Sequence, residues 1–399
     1  MKKRVLIVTG WYPNPQNPIE GIFVQDQAQL LAQQYDVAVL ALQLLSLRPA
    51  SMKGRVQTGC EIGKDSLIVC REAATNMIPR LPWLSAWSLD QAIAGMARRG
   101  LRRLQKVWGT PDLIHAHVVL PGGWTAIRIK RWLNVPAMLT EHSSPFSLNL
   151  KTAGQRQLVR KTLAYADRVV AVSPSLAAEI RMFEPAVQPM VIGNVIKTAF
   201  FTPVAAGRTD PARVGRTCFL CVASLSPRKG VAFLLHAAKL LRLRGDLDFE
   251  LVIGGDGPQR VELEKLSAEL GLTNCCQFLG QLLPEQVRAW MQTCDVFVLP
   301  SLHETFGIVV GEAMACGKPV IATKCGGPEF VVGPDTGMLV EPADSVALAE
   351  AMAFFVHSRM HYDPLTIRQQ IVDRFGSEAF LNRIATLYAE LLSSAESRV

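Results

Sequence analysis

This sequence predicts an α/β protein built from two doubly wound parallel sheets, and three observations carry that expectation. Short apolar runs alternate with amphipathic stretches along most of the chain. The alternation runs through twice, with a proline- and glycine-marked break at residues 202–211. A chain of 399 residues is also longer than one ordinary hydrophobic core organises.

The first strand is read at residues 5–9. Lys2, Lys3 and Arg4 ahead of it imitate a secretory leader, but the apolar run stops at Gly10-Trp11-Tyr12-Pro13, too soon for one. Further strands are expected at 37–42, 67–70, 113–115, 137–140, 168–171 and 190–192, with helical stretches at 22–33, 124–133 and 177–182. A basic amphipathic helix is expected over 89–108. It carries Arg98, Arg99, Arg102, Arg103 and Lys106 among Ile93, Met96, Leu101, Leu104 and Val107, with Trp83, Trp87 and Trp108 nearby. The second half repeats the pattern, with strands at 218–223, 249–253, 277–279, 296–299, 320–322 and 338–340. Its helices are expected at 231–243, 260–270, 284–291, 306–315 and 345–356, with last helices over 364–392. Open parallel sheets bind ligands beyond the carboxyl ends of their strands, so two such sheets facing each other would form a binding cleft.

Composition narrows the function. Apolar residues make up 49% and charged residues 19%, a packed globular balance. No apolar run reaches membrane-spanning length. The nine cysteines show no disulfide framework. Cys218 and Cys221 are read as structural neighbours inside a strand, because no second ligand pair follows to complete a zinc site. Reduced thiols suit the cytoplasm. The net charge of +8 is unevenly spread: residues 1–200 carry 24 basic and 12 acidic residues, and the remainder 18 and 22. A basic first half points to an acidic or phosphate-bearing partner or an anionic membrane face. The 89–108 helix fits a peripheral membrane helix, and better a core-facing helix with a solvated basic face. No nucleic-acid module accompanies these basic residues.

Residues 301–312, Ser-Leu-His-Glu-Thr-Phe-Gly-Ile-Val-Val-Gly-Glu, carry the most chemistry. They follow an apolar strand. Thr305 is the expected N-cap, which would start a helix at Phe306, Gly307 and Ile308. Amides at a helix start have no acceptor within the helix, and the positive end of the helix dipole points the same way. A phosphate fits there, and Gly307 lets it approach the backbone. Glu304 is expected in the loop, facing a sugar, and Glu312 in the second turn, accepting hydrogen bonds from ribose hydroxyls. A solvated glutamate beside a capped core helix would look the same.

Other segments join this one: 222–230 with Arg228-Lys229-Gly230, then Gly254-Gly255-Asp256-Gly257-Pro258, then Gly326-Gly327-Pro328-Glu329. The glycine-rich turn at 254 fails as a dinucleotide fingerprint, because Arg260 stands where a third glycine belongs. In the first half stand Gly21-Ile22-Phe23-Val24, His115-Ala116-His117, Thr140-Glu141-His142-Ser143 and Val172-Ser173-Pro174-Ser175. In this order, over nearly the whole chain, the segments resemble the retaining glycosyltransferases of family 4, the glycosyl transferases group 1, which have the GT-B fold of two Rossmann-like domains facing a central cleft.

The resemblance implies an acceptor-side domain over 1–200, a linker over 201–214, a nucleotide-sugar domain over 215–363, and helices over 364–399 that cross back to the first domain. It implies that Lys229 contacts the donor phosphates, joined by an arginine whose place is taken here by Ser224; Arg228 is the candidate substitute. Gly255 would lie beside the nucleotide and Gly327 on the donor side of the cleft. Gly21 matches a glycine whose amide approaches the donor phosphate. His142 matches a histidine facing the donor sugar, expected to hydrogen-bond and to stabilise charge rather than act as a base. His117 is expected to order a loop or touch the acceptor, and Asn194 to serve a turn. The implied activity is retaining transfer of a sugar from a UDP- or GDP-linked donor to a glycan or lipid-linked acceptor in cell-surface polysaccharide synthesis. It would proceed in the cytoplasm or at the inner membrane face, without metal or cofactor. The rivals are an epimerase or phosphorylase of the same fold, and a non-catalytic nucleotide-sugar-binding partner.

Overall fold

The computed structural model describes residues 2–45, 57–63, 66–75, 82–204, 216–245, 248–357 and 362–397. Most of the expected linker, and the side chain of Trp83, lie outside the described residues.

The first half contains strands β1 (Arg4–Thr9), β2 (Asp36–Leu45), β3 (Gly59–Ile62), β4 (Ile68–Thr75), β5 (Leu113–His117), β6 (Ala137–Glu141), β7 (Arg168–Ala171) and β8 (Met190–Val191). Its helices are α1 (Ile22–Leu31), α2 (Pro82–Val107), α3 (Trp124–Leu133), α4 (Ala153–Tyr165) and α5 (Pro174–Phe183). These strands form one sheet in the order β3-β4-β2-β1-β5-β6-β7-β8, parallel except for the antiparallel β3–β4 edge. The second half contains β9 (Thr217–Val222), β10 (Phe249–Gly254), β11 (Cys276–Gly280), β12 (Val296–Leu299), β13 (Val320–Thr323) and β14 (Gly337–Val340), all parallel in the order β11-β10-β9-β12-β13-β14. Its helices are α6 (Val231–Leu243), α7 (Arg260–Glu269), α8 (Pro284–Thr293), α9 (Ile308–Ala315), α10 (Pro328–Val331), α11 (Ser345–His357) and α12 (Pro364–Phe375), and α13 (Ser377–Glu396) ends the chain.

Each sheet has one topological switch point, where successive crossovers leave in opposite directions. It lies between β1 and β5 in the first and between β9 and β12 in the second. The crevice beyond the strand ends at that point is where open α/β sheets take ligands. The central strands read as unbroken Val/Ile/Leu runs because helices cover both faces.

The chain divides into two compact units: Met1–Val195 with Phe380–Val399, and Ile196–Ala379. The first unit thus ends ahead of residue 200, and α12 stays with the second. Ile196 donates its amide to the Phe375 carbonyl (2.8 Å), and the Arg368 guanidinium ties the carbonyls of Thr198, Phe201 and Ala315 together at 2.6–2.9 Å. From Phe380 onward, α13 sinks Ile384, Leu387, Tyr388 and Leu391 into the first unit's core beside Val5, Ile7 and Val39. Fully burying a side chain of this size contributes roughly 1.5–3 kcal/mol, so the helix is held firmly.

Two sequence readings change. Cys218 and Cys221 are three positions apart on β9, so they point to opposite faces and are not neighbours; Cys221 alone joins the core cluster of that sheet face. On α2, Ile93, Met96, Leu101 and Leu104 are buried in the first unit, so the apolar side is used by the core. Arg99 and Arg103 both pair with the buried carboxylate of Glu72 (2.9 and 2.8 Å). Arg98, Arg102 and Lys106 form the exposed basic face, beside an exposed Val107. Among the described residues, no helix is long and apolar enough to cross a membrane.

Candidate active site

In the second unit, the loops after β9 and β12 meet at the switch point. The chain leaves β9 through a short 3-10 turn, Pro227–Lys229, and Gly230 turns it left-handed (φ +64°). A Cβ on Gly230 would lie 2.0 Å from the Pro300 carbonyl oxygen, so glycine lets the two loops touch. Leu302 donates its amide to the Arg228 carbonyl (2.8 Å) and fixes the contact.

This places Lys229 and Arg228 over Glu304. The Lys229 ammonium hydrogen-bonds Glu304 Oε1, and Ser301 Oγ donates to the same oxygen (2.8 Å). Arg228 Nη1 lies 4.0 Å from Glu304 Oε2 and donates to the His303 carbonyl (3.1 Å). The Glu304 side chain is 8% exposed and that of Lys229 15%, so this is a mostly dry ion pair in which each partner needs the other. The Glu304 backbone is pinned as well: its amide donates to Cys325 O (3.1 Å), and Gly327 donates to Glu304 O (2.8 Å). Glu329 returns its carboxylate to the Gly326 amide at 2.9–3.0 Å.

The helix that follows starts later than expected. Gly307, at φ +86°, is the N-cap and Ile308 the first helical residue; no side chain caps the end. The expected Thr305 cap is therefore not used, and Phe306 and Gly307 precede the helix. A left-handed glycine turns the chain sharply into the helix and leaves the first-turn amides of Ile308 and Val309 without intrahelical acceptors. The Phe306 ring, 2% exposed, packs edge-on against Phe330 and Phe375 at centroid distances of 6.4 and 5.2 Å. Only its backbone remains to meet a ligand. Glu312 sits in the second turn of α9 and is half-buried.

The glycines are explained by close packing. A Cβ on Gly327 would come within 2.3 Å of the Phe306 nitrogen, and one on Gly255 (φ +129°) within 1.9 Å of the Ala223 oxygen. The 254–257 turn is tied to the loop after β9, with Leu225 donating to Asp256 O (2.9 Å) and Gln259 donating back to Leu225 O (2.9 Å). Ser224 is exposed at the foot of that loop, and Arg228 reaches the carboxylate from the other end of it.

In the first unit the site elements also follow strand ends. Gly21, at φ +66°, caps α1; a Cβ there would lie 2.3 Å from the Trp11 carbonyl. Two residues on, Phe23 lies against the His142 ring with centroids 4.8 Å apart. His142 follows β6 and is buried. Its Nε2 is 3.0 Å from His117 Nδ1, and Asn194 bonds its side chain. Gln27 Nε2 in turn donates to Asn194 Oδ1 (3.2 Å). His117 stacks on His115 at 4.3 Å, and His115 bonds Tyr388 Oη (2.7 Å) and Thr140 Oγ1 (2.8 Å). Burial holds all three imidazoles neutral: His115 and His142 are pushed down to about 3, and His117 falls well below its usual value.

His117 is fully buried and braces His142 from behind. Among the described residues, its buried Nε2 has no hydrogen-bond partner. A bare lone pair costs less than a bare N–H, which favours His117 donating from Nδ1 to His142. Glu141, raised by burial, accepts the amides of Val119, His142 and Ser143 at 2.7–2.9 Å and shapes the loop. Phe23, Glu141 and Asn194 were thus undervalued from sequence, although all three stand inside the quoted motifs or next to strand ends. A pocket of about 300 Å³ opens beyond β1 and beside β2 and β4, lined by Trp11, Tyr12, Gln43, Arg71 and Pro121. The Arg71 guanidinium lies 5.7 Å from the centre of the Tyr12 ring.

Comparison with known proteins matches this geometry. Residues 21–200 fit the family described as Glycosyltransferase Family 4, and residues 209–370 the family described as Glycosyl transferases group 1. The putative teichuronic acid biosynthesis glycosyltransferase TuaC of Bacillus subtilis is 27% identical over 372 residues, 90% of each chain. The D-inositol 3-phosphate glycosyltransferase of Streptosporangium roseum is 30% identical over 318 residues, 72% of this chain and 71% of that one. Curated relatives are spanned over 56% to 90% of their lengths. Anabaena Alr3699/HepE, solved in complex with UDP and glucose, has the same fold over 98% of this chain and 100% of its own, with a TM-score of 0.73 at 19% identity. With a bare helix start, a paired lysine and two parallel sheets in place, the chain belongs to the group 1 glycosyltransferases of family 4, enzymes of GT-B fold that use nucleotide-sugar donors.

Proposed function

We propose that this enzyme moves a sugar, with retention of anomeric configuration, from a UDP- or GDP-linked donor to a glycan or lipid-linked acceptor in cell-surface polysaccharide synthesis. The observation that carries the reading is the convergence of Lys229 and Arg228 on Glu304 beside the uncapped start of α9.

The donor diphosphate meets the amides of Gly307, Ile308 and Val309, which the helix itself leaves unused. Lys229 and Arg228 exchange the single charge of Glu304 for the larger charge of the diphosphate. Glu304, released, accepts hydrogen bonds from the sugar hydroxyls, and Glu312 accepts from the ribose. Two cations and a helix end supply the stabilisation that departure of the nucleoside diphosphate requires, with no divalent ion or cofactor in the scheme. The leaving phosphate takes the proton of the acceptor hydroxyl as it attacks the same face. Neutral His142 is held as a polar positioning group rather than a base, since burial keeps its imidazole from taking up a second proton near neutral pH. The approach of Arg228 to Glu304 supplies charge that Ser224 lacks, which favours an active enzyme over a silent binding partner.

The acceptor enters at the pocket beyond β1 and beside β2 and β4, where Trp11 gives a sugar an apolar face and Arg71 and Gln43 give polar contacts. A polymer-building role is supported by the name of the Bacillus relative, teichuronic acid biosynthesis. We place the enzyme in the cytoplasm, its exposed Arg98, Arg102 and Lys106 drawn electrostatically to the anionic inner membrane face.

A thermal-shift panel of nucleoside diphosphates and their sugars tests this reading, because a ligand that binds only the folded state raises its stability by mass action. UDP or GDP compounds are expected to raise the melting temperature in the wild type and not in Lys229→Ala. If no nucleotide shifts the wild type, or Lys229→Ala responds as the wild type does, the phosphate assignment is wrong. The anomeric configuration of the product, read by NMR coupling constants, decides retention.

A further inference from the structure

The antiparallel edge of the first sheet holds two thiols face to face. Cys60 on β3 is the direct cross-strand partner of Cys70 on β4. Gly63 donates its amide to Leu67 O (2.8 Å), which marks 63 and 67 as a hydrogen-bonded pair at the hairpin end. Hydrogen-bonded and non-hydrogen-bonded pairs alternate along an antiparallel ladder, so 61/69 and 59/71 are of the first kind and 60/70 of the second. Opposed Cα atoms of a non-hydrogen-bonded pair lie about 4.5 Å apart, with side chains close. That falls at the short end of the roughly 4.4–6.8 Å that a disulfide spans. Cys60 is close enough to add to the rise that burial causes in the Cys70 thiol. Cys60 is half-exposed and Cys70 buried.

We propose that Cys60 and Cys70 form an oxidisable pair that closes to a disulfide when the protein meets hydrogen peroxide. The half-exposed sulfur reacts first. Cys60 thiolate attacks the peroxide oxygen and breaks the O–O bond; the departing hydroxide leaves as water, and Cys60 becomes a sulfenic acid. The Cys70 sulfur then attacks the Cys60 sulfur, the S–O bond breaks, and hydroxide leaves as water with the Cys70 proton. Two thiols and one peroxide give one disulfide and two waters. Burial pushes the Cys70 thiol up, so the buried partner does not begin the reaction; it resolves an intermediate formed at contact distance. The bond staples the edge strand to β4 immediately before Arg71, a residue of the neighbouring pocket. A small-molecule thiol reverses it.

The test exposes the full-length protein to hydrogen peroxide, alkylates it under denaturing acid conditions, and maps the peptides by mass spectrometry. A peptide joining residues 60 and 70, lost on treatment with dithiothreitol, is expected. Met182, 80% exposed, reports that oxidant reached the protein. Cys60→Ser is expected to abolish the joined peptide and leave Cys70 alkylated, with an unchanged melting temperature. The proposal fails if Met182 is oxidised while both cysteines remain fully alkylated. It also fails if Cys60 proceeds to sulfinic acid, or joins another cysteine, without a link to Cys70.

Discussion

Lowering the pH from 7 to 5 should destabilise this protein through its buried histidines, and the size of the effect follows from their environment. His115 and His142 hold folded-state values of about 3 against 6.5 for a free imidazole. A group whose folded value is depressed favours the folded state fully only above its unfolded value. Below 6.5 the unfolded chain takes up protons that the folded protein refuses, and the loss continues until the pH reaches about 3. At pH 5 each of these two groups costs about 2 kcal/mol, and His117 acts in the same direction. Together they remove on the order of 4–6 kcal/mol, set against a total stability of roughly 5–15 kcal/mol. Glu141 opposes them: its raised carboxyl contributes fully only below its unfolded value, and that contribution is lost as pH rises. Two assays check the balance. Urea unfolding at pH 7 and pH 5 should show a large fall in midpoint at constant slope, and calorimetry in buffers of different ionisation enthalpy should show uptake of about two protons on unfolding at pH 5. An unchanged midpoint together with uptake of less than about half a proton would refute the neutral imidazole column.

Other outcomes follow from the same structure. Lys229→Ala should lower the melting temperature of the free protein, because it strands a buried carboxylate, at a cost of about 3–5 kcal/mol reduced by the nearby Arg228. Adding Glu304→Ala should restore that stability but not the nucleotide-induced shift, and recovery of both would deny the lysine a role in binding. Gly255→Ala should cost about 2 kcal/mol or more in urea unfolding, since its Cβ would meet Ala223 O at 1.9 Å in a left-handed backbone. Tyr388→Phe should cost about 1–3 kcal/mol by leaving His115 Nδ1 buried without its partner, and a change under about 0.5 kcal/mol would show that the bond is dispensable.

The sequence made the framework legible because strand and helix periods are local signals. Both parallel sheets and the loops that carry the site follow from alternation; the antiparallel edge strand β3 does not, since no expected strand covers residues 59–62. Helix starts were harder. Thr305 has the chemistry of a cap, yet the chain enters α9 through Gly307, whose left-handed turn removes the need for one. The reverse happened at α4, which the alternation did not reveal. There Thr152 and Gln155 form a capping box, a spacing visible in the sequence, ahead of a stretch too polar to stand out by periodicity. Phe306 belonged to the functional motif by position but is turned into an aromatic cluster by Phe330 and Phe375, which no local pattern connects to it. The pairing of Lys229 with Glu304 spans 75 residues, and the column from Tyr388 to His142 joins three distant segments. Such contacts arise from strand order, so they emerge only once the sheets are assembled.

Charge distribution shows how composition can point to the right ligand from the wrong place. The basic first half suggested a phosphate partner, but the switch point of that unit is lined by neutral imidazoles and a neutral amide. Arg71 apart, its cations lie elsewhere. Arg99 and Arg103 are spent on Glu72, and Arg98, Arg102 and Lys106 line the outer face of α2. The second half is acidic in total, yet it holds the phosphate-binding candidates, because two cations and a helix start converge on a single carboxylate. Coulomb energy falls with distance and is screened over about 8–10 Å in physiological salt, so what a ligand feels is set by the few groups within that range. Neutralising the exposed face of α2 should therefore weaken attraction to anionic vesicles while leaving nucleotide binding intact. Equal loss of both would tie that face to the donor site.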